Sequence, residues 1–80
     1  MNDPQIHEHI ESLIAEEHRL HEHGEDGHLT EADRARLEDI SVRLDQYWDL
    51  LRQRRARRHA GQDPDVADMR SGEVVEHYRQ

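Results

Sequence analysis

Histidine and glutamate side chains in the N-terminal third of the chain have a spacing that suits metal ligation. Four of them, each one helical turn from another, are Glu17, His18, His21 and Glu22. Imidazole and carboxylate groups at this spacing ligate divalent transition metals, and two copies of the chain would supply a bundle site. His18 and Glu22 lie at the edge of an apolar stripe, however, where solvated histidines are common. We therefore expect no cofactor and keep a metal-binding bundle as an alternative function.

A cluster of arginines follows Trp48 and forms the best candidate for a partner-binding surface. Its members are Arg52, Arg54, Arg55, Arg57 and Arg58. Arginine beside an aromatic ring suits contact with phosphate, RNA or an acidic protein. The five arginines point around the whole helix, and cations also favour a helix C-terminus. Acids such as Asp3, Glu8 and Glu11, or Asp63, Asp65 and Asp68 in the tail, could neutralise them.

The identity of the partner is constrained by charge. The chain carries 19 acidic and 11 basic residues, so its net charge is −8, and all 11 basic residues are arginines. This balance disfavours nucleic acid as the partner of the whole surface. An unidentified protein partner is therefore the leading prediction, and an RNA- or ribosome-associated factor using the arginine-rich end is a second alternative.

Glu17 lies at the centre of the apolar face of the first predicted helix. A carboxylate in such a seam needs a partner or a proton. We expect an ion pair with Arg36 or Arg43, or a hydrogen bond to an aromatic residue of a neighbouring chain. A polar seam residue of this kind fixes helix register and oligomeric state.

Catalysis and membrane insertion lack sequence support. The serines have no glycine elbow, no phosphate-binding glycine loop is present, and cysteine is absent. No apolar run approaches the ~20 residues that span a bilayer, and acids and histidines stand where a signal peptide would be basic and apolar. We predict a cytoplasmic protein that is not an enzyme and does not enter a membrane.

Two long helices must position these residues. Apolar residues at 4-3 spacing predict a first helix over about 4–23, and a second stripe predicts another over about 31–59. Thr30 and Asp33 form a capping-box pattern at the second start. The short turn between the helices requires antiparallel packing, so residues 1–60 form a coiled-coil-like two-helix hairpin. The seam consists of Ile6, Ile10, Leu13, Leu20, Leu37, Ile40, Leu44, Trp48 and Leu51.

The C-terminal tail, residues 61–80, is expected to contain short helical turns. A cap at Asp63 predicts a short helix over 64–70, and a new turn at Ser71 or Gly72 places Val74, Val75 and Tyr78 on one side. Only 32% of the chain is hydrophobic, so a two-helix layer needs a second layer. The tail or a second copy could supply it, and the wide aromatic face at Trp48 favours a homodimer with four helices.

Four phrases of the sequence resemble a known family. They are EEHRL at 16–20, LDQYWDLLRQRRA at 44–56, DPD at 63–65 and VVE at 74–76. The chain resembles a family of short actinobacterial proteins catalogued as domain of unknown function 2630. The resemblance implies a cytoplasmic actinobacterial protein of about this length, and it carries no site residues. The function itself is not determinable from the sequence. The leading hypothesis is an all-α, non-enzymatic interaction module that binds another macromolecule.

Overall fold

A computed structural model describes residues 1–25, 27 and 29–78, and the side chains of all of these except residues 25, 77 and 78. Helix α1 spans Asp3–Glu25 and helix α2 spans Glu31–His59. A 3-10 turn, Pro64–Val66, and a short helix α3, Gly72–Tyr78, follow. No strand occurs in the described ranges, so this part of the chain is all-α. The molecule is elongated, about 50 × 27 × 15 Å.

Side-chain caps fix the beginning of both long helices. At α1, the Gln5 backbone N–H donates to Asn2 Oδ1 and the Asn2 N–H donates to Gln5 Oε1, both at 2.9 Å. At α2, the Asp33 N–H donates to Thr30 Oγ1 at 3.0 Å and the Thr30 N–H donates to Asp33 Oδ2 at 3.1 Å. Each pair satisfies two amides that the helix leaves unbonded. The N-cap of α1 is therefore Asn2.

A glycine ends the second helix. Gly61 has a φ of +73°, a backbone region that side chains with a Cβ rarely adopt. The Gln62 N–H donates to the Arg57 carbonyl at 2.7 Å, and the Gly61 N–H donates to the Arg58 carbonyl at 3.1 Å. These two bonds form a Schellman motif, which reverses the chain and directs the tail back along α2.

The hairpin core lies at the end of the molecule away from the α1–α2 turn. It consists of Ile6, Ile10, Leu50 and Leu51, and Leu44, Tyr47 and Ala67 pack against it. Full burial of one such side chain contributes about 1.5–3 kcal/mol. Because Leu51 shares this cluster with Ile6 and Ile10, and Tyr47 packs against it, both residues lie on the α1 side of α2, as the predicted antiparallel packing allows. Leu50 was not predicted as a core residue, and its burial reflects a neighbour on a second side of α2.

That neighbour is the C-terminal tail, which packs on α2 of its own chain. The Gln53 side-chain amide donates to the Asp68 carbonyl at 2.9 Å, and the Gln46 amide donates to the Arg70 carbonyl at 3.1 Å. Val75 of α3 is fully buried. Gly72 lies so close to α2 that an added Cβ would come within 2.5 Å of Val42 Cγ1. The tail thus supplies a second layer over the hairpin.

Two details of the tail differ from the prediction. The helix predicted over 64–70 ends at Val66, because Ala67 is extended, with ψ 132°, and the following carbonyls bond to glutamine amides of α2. Val74 is 44% exposed, so only Val75 of that pair is buried. Tyr78 was predicted on the same side, but its side chain lies outside the described residues.

Candidate functional site

A groove of about 370 Å³ lies between the N-terminal turns of α1 and the C-terminal half of α2. Asp3 and His7 line it from α1. The α2 side consists of Trp48, Leu51, Arg52, Arg55 and Arg58. We call this the Arg–Trp groove. It contains four of the six residues predicted as the partner-binding surface, and it leaves out Arg54 and Arg57.

Helical periodicity explains which arginines reach the groove. Trp48, Arg52, Arg55 and Arg58 are separated by four, three and three residues, so they lie on one face of α2. The five arginines do point around the helix, as the sequence predicted, but three of them form a continuous stripe with Trp48. The tail packs on another side of α2 and leaves this stripe uncovered.

Trp48 is 45% exposed, although the sequence placed it in the seam. The His7 ring meets it edge-on, with ring centroids 6.3 Å apart and an interplanar angle of 75°. The adjacent Tyr47 instead stacks on His9, with centroids 5.2 Å apart and planes within 5°. Because adjacent positions point about 100° apart on a helix, Tyr47 faces the core while Trp48 faces the groove.

Arg54 is the main departure from the predicted surface, because it is only 5% exposed. Its Nε donates to Asp3 Oδ1 at 2.6 Å, and its Nη1 donates to Asp65 Oδ1 at 3.0 Å and to the Pro64 carbonyl at 3.2 Å. This guanidinium joins α1, α2 and the tail. Arg54 is therefore a structural residue, neutralised by two of the acids considered for that role.

Asp3 lies at the junction of this network and the groove. Its Oδ2 accepts a hydrogen bond from Arg58 Nη2 at 2.9 Å. Hydrogen bonds from Arg54, and then from Arg58, lower the pKa of the Asp3 carboxyl below its usual range. Hydrogen bonding to Asp3 in turn raises the pKa of Arg54, which stays charged. The carboxylate therefore holds two arginines in fixed positions at one end of the groove.

The remaining arginines of the cluster are held loosely. Arg57 Nη1 reaches Gln62 Oε1 at 3.5 Å. The Arg52 side chain is 66% exposed and lies 3.6 Å from Asp49 Oδ1. No carboxylate among the described side chains lies within ion-pair distance of Arg55. Three guanidiniums and one carboxylate line the groove, so it is positive on a chain whose net charge is −8.

The ion pair expected for Glu17 is not formed with Arg36. Arg36 Nε and Nη2 donate to the two carboxylate oxygens of Glu16 at 2.5 and 2.8 Å, and Nη1 donates to Asp39 at 2.7 Å. Arg43 likewise donates to Asp39 at 2.9 Å. Glu16 is the acid whose pKa this pairing lowers. Glu17 is half-buried, so water still reaches its carboxylate, and a bond to a neighbouring chain stays a prediction.

The predicted metal ligands all lie on α1. His18, His21 and Glu22 are exposed and Glu17 is half-buried. Within the part of the chain that the structure describes, no three His, Asp or Glu side chains are grouped to hold a metal ion. A site shared between two copies was the original hypothesis, and it stays a prediction.

Sequence reasoning missed two residues near the groove. His7 was not among the predicted site residues, although it lies four residues after Asp3 on α1 and contacts Trp48 across the antiparallel hairpin. Asp49 is 5% exposed and accepts a hydrogen bond from Gln53 at 3.0 Å, while Arg70 Nε lies 3.5 Å away. The sequence shows the i,i+4 spacing of Asp49 and Gln53, but it does not show that Arg70 of the tail lies beside Asp49.

These features define a class of small all-helical proteins: a two-helix hairpin with a packed C-terminal tail and a basic, aromatic groove. The chain belongs to the family described as "Protein of unknown function (DUF2630)", whose model matches residues 2–80. It is 45% identical over 71 residues to an uncharacterized protein of Mycobacterium bovis and to uncharacterized proteins of two Mycobacterium tuberculosis strains. Each match covers 88% of this chain and 82% of the relative.

No solved structure is significantly similar to the chain. Of the described helices, none is long and apolar enough to cross a membrane. The family assignment agrees with the resemblance seen in the sequence, and it leaves the function undetermined.

Proposed function

We propose that the protein is a non-enzymatic interaction module that binds another protein through the Arg–Trp groove. The observation that carries this proposal is the exposed stripe of Trp48, Arg52 and Arg55 beside α1. Tryptophan and arginine are the residues that most often dominate binding energy at protein interfaces. Elsewhere in the chain, arginines such as Arg36 and Arg54 are used in internal ion pairs. In the groove, Arg58 bonds to Asp3, whereas Arg55 has no carboxylate within ion-pair distance among the described side chains and Arg52 has only a 3.6 Å approach to Asp49, so these two can bond to a partner.

Photo-crosslinking in cells tests this role. A benzoylphenylalanine would replace Arg55 in the groove, and the matched control would replace Arg34, an exposed arginine at the other end of the same helix. We expect a discrete crosslinked protein from position 55 that is absent from position 34. Adding Arg52→Glu should abolish the product. Identical products at both positions, or none at position 55, would contradict an interaction role for the groove.

Homodimerisation and a cytoplasmic location are further parts of the proposal. Ile14, which is 37% exposed and does not line the groove, leaves apolar surface that a second copy could cover without blocking Trp48. Native mass spectrometry of untagged protein purified without chelator would measure the oligomer directly. The same spectra would test the alternative metal-binding function, because a stoichiometric added mass lost on changing Glu17 or His18 would establish a metalloprotein.

A further inference from the structure

Building on the interaction role above, we propose that the Arg–Trp groove binds an acidic helical segment of the partner protein. An apolar side chain of that segment packs on Trp48, and its carboxylates bond to Arg52 and Arg55. The groove lies between two antiparallel helices, and a groove of this kind can bind a third, amphipathic helix. The proposal thus assigns both the secondary structure and the chemistry of the bound segment.

The spacing of the groove side chains supports a helical ligand. Trp48 and Arg52 are about 6 Å apart along the α2 axis, and Arg52 and Arg55 about 4.5 Å, from the rise of 1.5 Å per residue. A partner helix that carries a leucine and two glutamates at spacings of three and four presents the same interval. One face of such a helix would meet the aromatic ring and both guanidiniums together.

The electrostatics favour carboxylates. Asp3 already shows this recognition within the chain, because its carboxylate accepts bonds from Arg54 and Arg58 at the end of the groove. Arg55 has no carboxylate within ion-pair distance among the described side chains. The 3.6 Å separation of Arg52 from Asp49 is longer than the roughly 2.7–2.9 Å of a strong charge-assisted bond. Both groups can therefore bond to an incoming carboxylate.

A phosphate ligand fits the groove less well. Phosphate groups are held by donors that converge on one centre, whereas Arg52 and Arg55 are distributed along the helix axis. The Asp3 carboxylate in the groove wall repels a dianionic phosphate more than a single carboxylate. A nucleic acid would in addition meet the repulsion of a chain with net charge −8.

The fluorescence of Trp48, the single tryptophan of the chain, provides the test. The probe is a blocked helical peptide with a leucine followed by glutamates four and seven residues later, and a second probe carries the reverse order, so that both binding directions are tested. One matched peptide carries glutamine for glutamate, and another carries alanine for leucine. We expect saturable binding of the probe, and a loss of affinity of about tenfold or more with Arg55→Glu. The control Arg34→Glu should bind as the unmodified protein does.

Each other outcome overturns the inference. Equal binding of the glutamine peptide would show a groove without carboxylate recognition. Equal loss with Arg55→Glu and Arg34→Glu would indicate a non-specific charge effect. A response to oligothymidine or polyphosphate, without one to the peptide, would assign the groove to phosphates. No binding of the probe, with a crosslinked partner still formed at position 55, would refute the acidic-helix ligand and leave the interaction role standing.

Discussion

Replacing Arg54 with alanine should destabilise the protein more than the same change at Arg58, although the two residues lie one turn apart on α2. Arg54 is 5% exposed and donates to Asp3, to Asp65 and to a backbone carbonyl. A hydrogen bond to a charged group contributes about 1.5–3 kcal/mol. The exposed Asp65 side chain adds little, and Asp3 retains its bond to Arg58. We therefore expect a loss of about 2–3 kcal/mol, below the 3–5 of a fully buried pair.

The matched variant Arg58→Ala removes the same charge from the same end of the helix. Its side chain is 43% exposed, so the expected loss is about 0–1 kcal/mol. Urea denaturation followed by circular dichroism would measure both values. In a double-mutant cycle, Asp3→Asn should cost less in the Arg54→Ala background than in the unmodified chain. Equal losses for the two alanine variants, or additive effects in the cycle, would show that the burial and bonding of Arg54 do not control stability.

Three further predictions test the pH dependence, the tail and the seam. Arginine hydrogen bonds lower the pKa values of Asp3 and Glu16 below their usual 3.8 and 4.5. The stabilisation that the two charged carboxylates contribute should therefore be complete above about pH 4.5, and it should fall as the pH drops through their lower folded-state pKa values. In an acid titration, the free energy of unfolding should fall less steeply for Asp3→Asn than for the unmodified protein. Gly72→Ala should accelerate hydrogen exchange in α3, because the new Cβ meets Val42, and Val42→Ala should restore protection. Glu17→Leu should raise the urea midpoint and broaden the oligomer distribution in native mass spectra, and a lower midpoint with one oligomer would contradict its register role.

The long helices could be predicted because each local signal agrees with the others. Thr30 and Asp33 form a capping box, and Gly61 has the positive φ that ends α2. The apolar stripe between these signals has a helical period, so local chemistry and core packing require the same helix. The antiparallel register followed from the short turn, and the positions of Ile6 and Leu51 in one core agree with it.

The packing of the tail could not be predicted, because its contacts join residues far apart in sequence. Gln46 and Gln53 are ordinary polar helix residues until backbone carbonyls of the tail come within hydrogen-bond distance. The sequence pattern likewise suggests that Asp49 and Arg54 are solvent-exposed charged residues, although both are buried. Charged side chains are rarely buried without partners, and here the partners come from α1 and the tail. A periodicity argument treats only one helix at a time and therefore cannot identify them.

The groove illustrates the same limit from the functional side. The sequence predicted six candidate residues, of which Trp48, Arg52, Arg55 and Arg58 line the groove. Helical angle alone does not separate Arg54 from Arg58, because the two lie one turn apart on α2. Helical angles do not supply the position of α1, which begins beside Arg54 and places Asp3 between two arginines. The Asp3 carboxylate bonds to Arg54, which stabilises the fold, and to Arg58, which it holds in place. It does not bond to Arg52 or Arg55, so these two side chains can bind a ligand. The division between folding and binding within this cluster therefore depends on where α1 begins, and Asn2 and Gln5 set that position through their reciprocal cap.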